Sequence, residues 1–127
     1  VTVIDDRYNA SPASVAGALR LLAGLPGRRL ALLGKLAELG DFEREEHARA
    51  GETAAGCCDL LFTFGPTCRA LAEAARQAGL AGVQWFETRD EAARAVAAAL
   101  RDGDYLLVKG SRSEELEVVL PFFGAGP

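Results

Sequence analysis

Residues 1–33 read VTVIDDRYNASPASVAGALRLLAGLPGRRLALL, and the fold follows from how this stretch divides. An apolar run, Val1–Asp5, stops at a pair of aspartates. Ser11 then offers a side-chain oxygen to the free N–H groups of a helix start, with Pro12 at its first position. Val15, Leu19 and Leu22 recur at helical spacing and form one apolar stripe. Gly24 to Gly27 close the helix, and Arg29–Leu33 is a second short run in which apolar residues follow one another without polar alternation. Strands covered on both faces have that character. The stretch therefore predicts strand, crossover helix and parallel strand.

The same grammar continues to the end of the chain. Further strands are predicted at Leu60–Phe64, Val83–Phe86 and Tyr105–Val108. Helices are predicted from about Glu43 to Ala55, and from Pro66 to a stop at Gly79 with Leu71 and Ala75 inward. Another opens with the capping box Thr88 and Glu91 and runs through Val96 and Leu100 to Gly103. Ser111 with Glu114 makes a similar box ahead of Leu116, Val119 and Leu120, and Gly124–Pro127 reads as a frayed tail. Five strands alternating with five helices give an α/β domain: Rossmann-like, in three α/β/α layers, with a mostly parallel sheet of five or six strands and right-handed crossovers.

A chain of 127 residues without internal repeats or linkers suits one domain, residues 1–127. A net charge of −4 gives no general affinity for nucleic acid or an anionic membrane. No apolar run approaches the ~18–20 residues of a membrane span, and Asp5 and Asp6 interrupt the one run that could have served as a signal peptide. Cys57, Cys58 and Cys68 are odd in number, two are adjacent, no CxxC pair exists and His47 is the one histidine. They read as reduced thiols of a cytoplasmic protein, with no metal site. The chain has no methionine and opens directly in a strand, which fits a domain of a longer protein.

In open α/β sheets ligands gather where strands end and helices begin. The first such loop, Asp5-Asp6-Arg7-Tyr8-Asn9-Ala10-Ser11-Pro12, combines two carboxylates, a tyrosine and the single asparagine of the chain. It fits a turn shaped by Asp and Asn side chains. It equally fits a nucleoside site, with a carboxylate on vicinal hydroxyls and an amide and a ring beside a base. The second loop, Leu33–Gly40, holds Glu38 between two glycines, and His47 follows on the next helix. The third, Val108-Lys109-Gly110-Ser111-Arg112-Ser113, carries two cations at a helix start, which suits either an anion site or a capped turn. Gly65-Pro66-Thr67 reads as a plain helix start. No G-x-x-x-x-G-K-[ST] phosphate loop and no G-x-G-x-x-G is present, so nucleotide chemistry would need another domain.

Taken together, the three loops resemble one family, the Mur ligases, and within it the members that add D-alanyl-D-alanine to a cell-wall precursor. Asp5–Pro12 resembles the family's D-D-S-Y-N-A-N-P segment, Leu33–Gly40 its L-G-x-M-x-E-L-G segment, and Lys109–Arg112 its K-G-S-R segment. His47 falls where that family often has histidine. Order and spacing agree across nearly the whole chain. The resemblance implies the C-terminal domain of a three-domain cytoplasmic enzyme of peptidoglycan precursor synthesis. ATP would phosphorylate the carboxylate of UDP-N-acetylmuramoyl-tripeptide, and the amine of D-alanyl-D-alanine would displace phosphate from the acyl phosphate. The N-terminal domain would bind the UDP-sugar, and the central domain would hold the ATP phosphates and Mg²⁺. This domain would close over both sites. By the same resemblance Asp6, Tyr8 and Asn9 would lie on the ribose and adenine side of ATP. Glu38, His47, Lys109, Gly110, Ser111 and Arg112 would face the peptide or dipeptide.

Two positions depart from the family pattern. Ser11 stands where asparagine is common and can still cap its helix. Lys35 stands where an acid is common, reversing a charge near the expected substrate edge. Two further readings remain at this point. The chain could belong to another Mur-type amide ligase, such as the diamino-acid-adding enzyme or folylpolyglutamate synthase. It could also be a free-standing flavodoxin-like binding module.

Overall fold

The computed structural model describes residues 1–6 and 10–123. Its sheet has five parallel strands: β1 (Thr2–Asp5), β2 (Arg29–Leu33), β3 (Leu60–Phe64), β4 (Val83–Phe86) and β5 (Tyr105–Lys109). Four helices, α1 (Pro12–Ala23), α2 (Glu43–Ala55), α3 (Arg69–Gln77) and α4 (Arg89–Ala99), connect them. The strand order is β1-β5-β2-β3-β4.

Both faces of the sheet are apolar, which is why the strands show no polar alternation in sequence. Ala31, Leu33, Leu61 and Leu107 face one way and pack with Val15, Leu19 and Leu22 of α1, Ala50 and Ala54 of α2, and Leu71 and Ala75 of α3. Leu30, Leu32, Phe62, Phe64, Leu106 and Val108 face the other way, onto Ala92, Ala93 and Val96 of α4 and onto Leu116, Val119 and Phe123. The chain steps from β1 through β4 in one direction with α1–α3 on one face. It then returns through α4 on the opposite face and inserts β5 between β1 and β2. The segments that leave β1 and β2 therefore go to one face and the segment that leaves β5 goes to the other. A crevice opens at the carboxyl end of β5 beside both neighbours, and a second between β3 and β4.

The helix starts carry the expected signals. The Ser11 hydroxyl accepts from the Ser14 N–H at 3.2 Å, and Thr88 with Glu91 forms a complete reciprocal box. Three expectations need correction. The helix after β3 begins as a 3₁₀ turn, Pro66–Cys68, before α3. Leu100 ends α4 in an extended conformation instead of continuing it. The helix expected from Ser111 is absent, and three 3₁₀ turns, Arg112–Glu114, Leu116–Val118 and Leu120–Phe123, take its place. The Ser111 hydroxyl bonds the Ser113 hydroxyl at 2.8 Å instead of capping, and Glu115 takes a left-handed backbone (φ 50) that breaks the helical path. Pro121, without an N–H, prevents recovery. Leu116 and Val119 are buried all the same. Gly124–Pro127 lie outside the described residues.

At the opposite, amino-terminal end of the sheet one ion pair ties the entries of β2 and β5 together. Arg28 reaches Asp104 through two bonds, Nη2 to Oδ2 at 2.6 Å and Nε to Oδ1 at 3.0 Å. Asp104 also accepts from the Arg101 N–H at 2.8 Å. The hydrogen bonds from Arg28, foremost, hold the Asp104 carboxyl below its ordinary range against the effect of burial.

Candidate functional site

The three loops singled out by sequence lock together at the carboxyl rim. The Asp6 N–H donates to the Val108 carbonyl at 3.1 Å and the Gly34 N–H to the Lys109 carbonyl at 2.8 Å. The Ser111 N–H donates to the Lys35 carbonyl at 2.9 Å and the Ala37 N–H to the Ala10 carbonyl at 3.3 Å. Each loop is thus bonded through its backbone to at least one other, and all three share one edge.

Two glycines let the second and third loops come this close. A Cβ on Gly110 would lie 3.2 Å from the Gly34 Cα and 2.9 Å from Leu116 Cδ1, and one on Gly34 would lie 3.1 Å from the Phe64 ring. At Gly110 a Cβ would press on the Gly34 backbone, and at Gly34 it would press on the side chains of Phe64 and Glu114. The motif glycines therefore keep the packing between the loops close, and Gly110 itself is buried.

Lys109 is buried, on the side of the sheet that Asp6 shares. It follows Leu107 by two residues and so shares the α1 side of the sheet. Its side chain is 0% exposed, and its ammonium lies 2.6 Å from Asp6 Oδ2 and 3.3 Å from the Asp6 carbonyl oxygen. Asp6 remains 49% exposed. Burial of a cation is tolerated here because it is paired. Lys109 therefore faces Asp6, the residue that the resemblance places on the nucleotide side.

His47 is also buried, at 0% exposure. Its Nε2 accepts from the Leu36 N–H at 3.0 Å, so Nδ1 carries the proton and donates to the Glu43 carbonyl at 2.6 Å. With both ring nitrogens engaged by backbone the ring holds the second loop from below, and it touches a ligand only by leaving that place. Glu38 is exposed on that loop, in a left-handed backbone (φ 55). Ser111 is buried against Ser113, and Arg112 is exposed at the start of its turn. Lys35 approaches Glu43 at 3.7 Å. Tyr8 and Asn9 lie outside the described residues.

The second crevice holds residues that the sequence reading passed over. A groove of about 440 Å³ runs from Lys35 past Pro66 and Thr67 to Arg89, Ser113 and Glu114. Arg89 starts α4 and donates to the carbonyls of Glu114 and Glu115 at 3.1 and 3.2 Å, which joins α4 to the third loop. Burial raises the Glu114 carboxyl above its ordinary value, although a hydrogen bond from the Lys35 backbone and the Lys35 charge oppose this. The signal that could have exposed the groove is the change of face between α3 and α4, which needs the strand order and cannot be read from either loop alone.

The cysteines are buried thiols. Desolvation pushes Cys58 up to about 12 and Cys68 up to about 11, which keeps them protonated and unreactive. Among the described residues no group of three or more His, Cys, Asp or Glu side chains is placed to hold a metal ion.

A family model described as "Mur ligase, glutamate ligase domain" matches residues 1–112, a span that contains all three interlocked loops. The chain belongs to the Mur ligase family. The Mur ligase relatives include the UDP-N-acetylmuramoyl-tripeptide–D-alanyl-D-alanine ligases of Bacillus subtilis, 32% identical over 94% of this chain, and of Treponema pallidum, 37% identical over 95%. Each alignment covers 27% of the relative, so the chain spans about a quarter of their length. Among solved structures, a MurF crystal structure from Acinetobacter baumannii superposes with a TM-score of 0.85 at 28% identity, covering 95% of this chain and 27% of that one. The MurF ligase from Thermotoga maritima in complex with ADP gives 0.80 at 27% identity over the same shares. The Mur ligase assignment favours the first reading of the rim over a flavodoxin-like module. No helix among the described residues is long and apolar enough to cross a membrane.

Proposed function

We propose that this chain is the C-terminal domain of a cytoplasmic three-domain ligase that uses ATP to join D-alanyl-D-alanine to UDP-N-acetylmuramoyl-tripeptide. The observation that carries the proposal is the shared rim, where the half-exposed Asp6 carboxylate and the Lys109–Arg112 turn are one hydrogen-bonded unit. The curated relatives reported above carry the D-alanyl-D-alanine name, which supports this acceptor over a diamino acid or a folyl polyglutamate.

The residues fit a division of labour. Asp6, with Oδ2 on Lys109, presents a solvent-facing carboxylate suited to the vicinal hydroxyls of a ribose. By the family resemblance, Tyr8 and Asn9 would serve the base on that side. Glu38 and Arg112 project from the second and third loops toward the peptide and dipeptide, with Gly110 and Ser111 forming the floor between them. His47 acts through the second loop by fixing Leu36. The phosphates and Mg²⁺ would be held by the central domain, since this sequence has no phosphate loop. Closure of the domain would exclude water and bring Arg112 to the substrate only when ligands are bound.

The test is phosphate release from ATP by the complete protein, with each substrate omitted in turn. Release and amide formation that need both UDP-N-acetylmuramoyl-tripeptide and D-alanyl-D-alanine are expected. Release supported better by a free diamino acid or by glutamate would reject the proposed acceptor.

A further inference from the structure

We infer that Lys109 is a positioning residue for the nucleotide side of the site, whose buried ammonium sets the orientation of the Asp6 carboxylate, and that it makes no contact with the peptide substrates. The inference rests on the reading of Asp6 as a ribose ligand.

Lys109 and Lys35 are the two lysines among fourteen basic residues, and both lie at the rim. Stability alone does not call for a cation at this position. A buried ion pair rarely stabilises more than an apolar residue of similar size, and Leu107, the preceding β5 residue on that face, is apolar. The partner is also an uneconomical choice for a purely structural pair, since half of the Asp6 side chain stays in water. The arrangement instead immobilises a solvent-facing carboxylate. Its N–H is held by Val108, its carbonyl and one carboxylate oxygen by Lys109, and the remaining surface points outward. A ligand group fixed in advance binds without losing that freedom on association.

The experiment is steady-state kinetics of the complete ligase with Lys109→Met, which removes the charge and leaves Asp6 solvated. The KM for ATP should rise about tenfold, with the KM values for D-alanyl-D-alanine and the UDP-tripeptide within about twofold of the parent and the unfolding midpoint retained. A rise confined to the KM of either peptide substrate, or no change in any KM, overturns the inference. Asp6→Asn with and without Lys109→Met guards against a folding defect. The two changes should be non-additive in the KM for ATP, and full additivity overturns the coupling. A parent enzyme that forms no amide bond from ATP overturns the functional reading first, which separates the two failures.

Discussion

His47 and Arg112 occupy opposite situations on the same rim, and the difference sets what their loss would do. The buried His47 ring bridges two backbone groups, the Leu36 N–H and the Glu43 carbonyl. His47→Leu keeps the bulk but strands the Leu36 N–H and the Glu43 carbonyl. It should cost about 2–3 kcal/mol of stability in a urea titration, and a midpoint unchanged within error would show that the ring is dispensable to the loop. Arg112 is exposed at a turn. Arg112→Ala should leave the unfolding midpoint within ~0.5 kcal/mol of the parent while lowering kcat/KM of the complete ligase by at least about tenfold. Loss of activity only in step with unfolding would return Arg112 to a structural role. These two residues also mark where sequence reading stops at this scale. That Lys109 is buried was implicit in its register with Leu107, but a charge in a Lys-Gly-Ser-Arg turn is read by default as solvated. His47 could be placed on a helix face, and nothing in the sequence names the loop backbone it bonds.

The strands were legible at the scale of elements, and the last segment was not. Arg29–Leu33, Leu60–Phe64 and Val83–Phe86 appear at their expected bounds because both faces of the sheet are covered and apolar runs need no partner to be recognised. The segment after Lys109 kept its apolar spacing, with Leu116 and Val119 buried, but not its helix. There the local signal competes with Glu115 in a left-handed conformation and with Pro121, and tertiary contacts decide. A pH prediction belongs to the junction of β2 and β5. The Asp104 carboxyl is held below its ordinary value by Arg28, so its contribution is present above the ordinary carboxylate range and is lost as pH falls through the folded value. Stability should therefore decline below about pH 4. Asp104→Asn should lose about 2–3 kcal/mol at neutral pH and show a shallower acid decline. The cost is below that of a fully buried pair because Arg28 keeps 26% exposure. An unchanged acid limb in the variant would assign the pH dependence to other carboxylates.

Over the whole molecule, the α/β class and the convergence of three loops on one edge could be read from alternation alone, because parallel strands all present their carboxyl ends to the same side. The groove beside Arg89 and Glu114 could not, since it depends on which strand lies between which. The lack of a phosphate loop carries its own prediction. The 127-residue chain by itself should release no phosphate from ATP above background in a coupled assay, and turnover by this chain alone would mean that its rim holds the phosphates unaided.

The strand order also governs when the rim can come into being. β1 is hydrogen-bonded in the sheet only to β5, the last strand to be synthesised. At ribosomal speeds of about 5–20 residues per second, the opening strand waits several seconds for its neighbour, while β2, β3 and β4 can already zip together. Closing that long loop is the slow kind of step in folding. Asp6 and Lys109 therefore meet only when β5 has left the exit tunnel, and a chain truncated before Tyr105 could not form their ion pair.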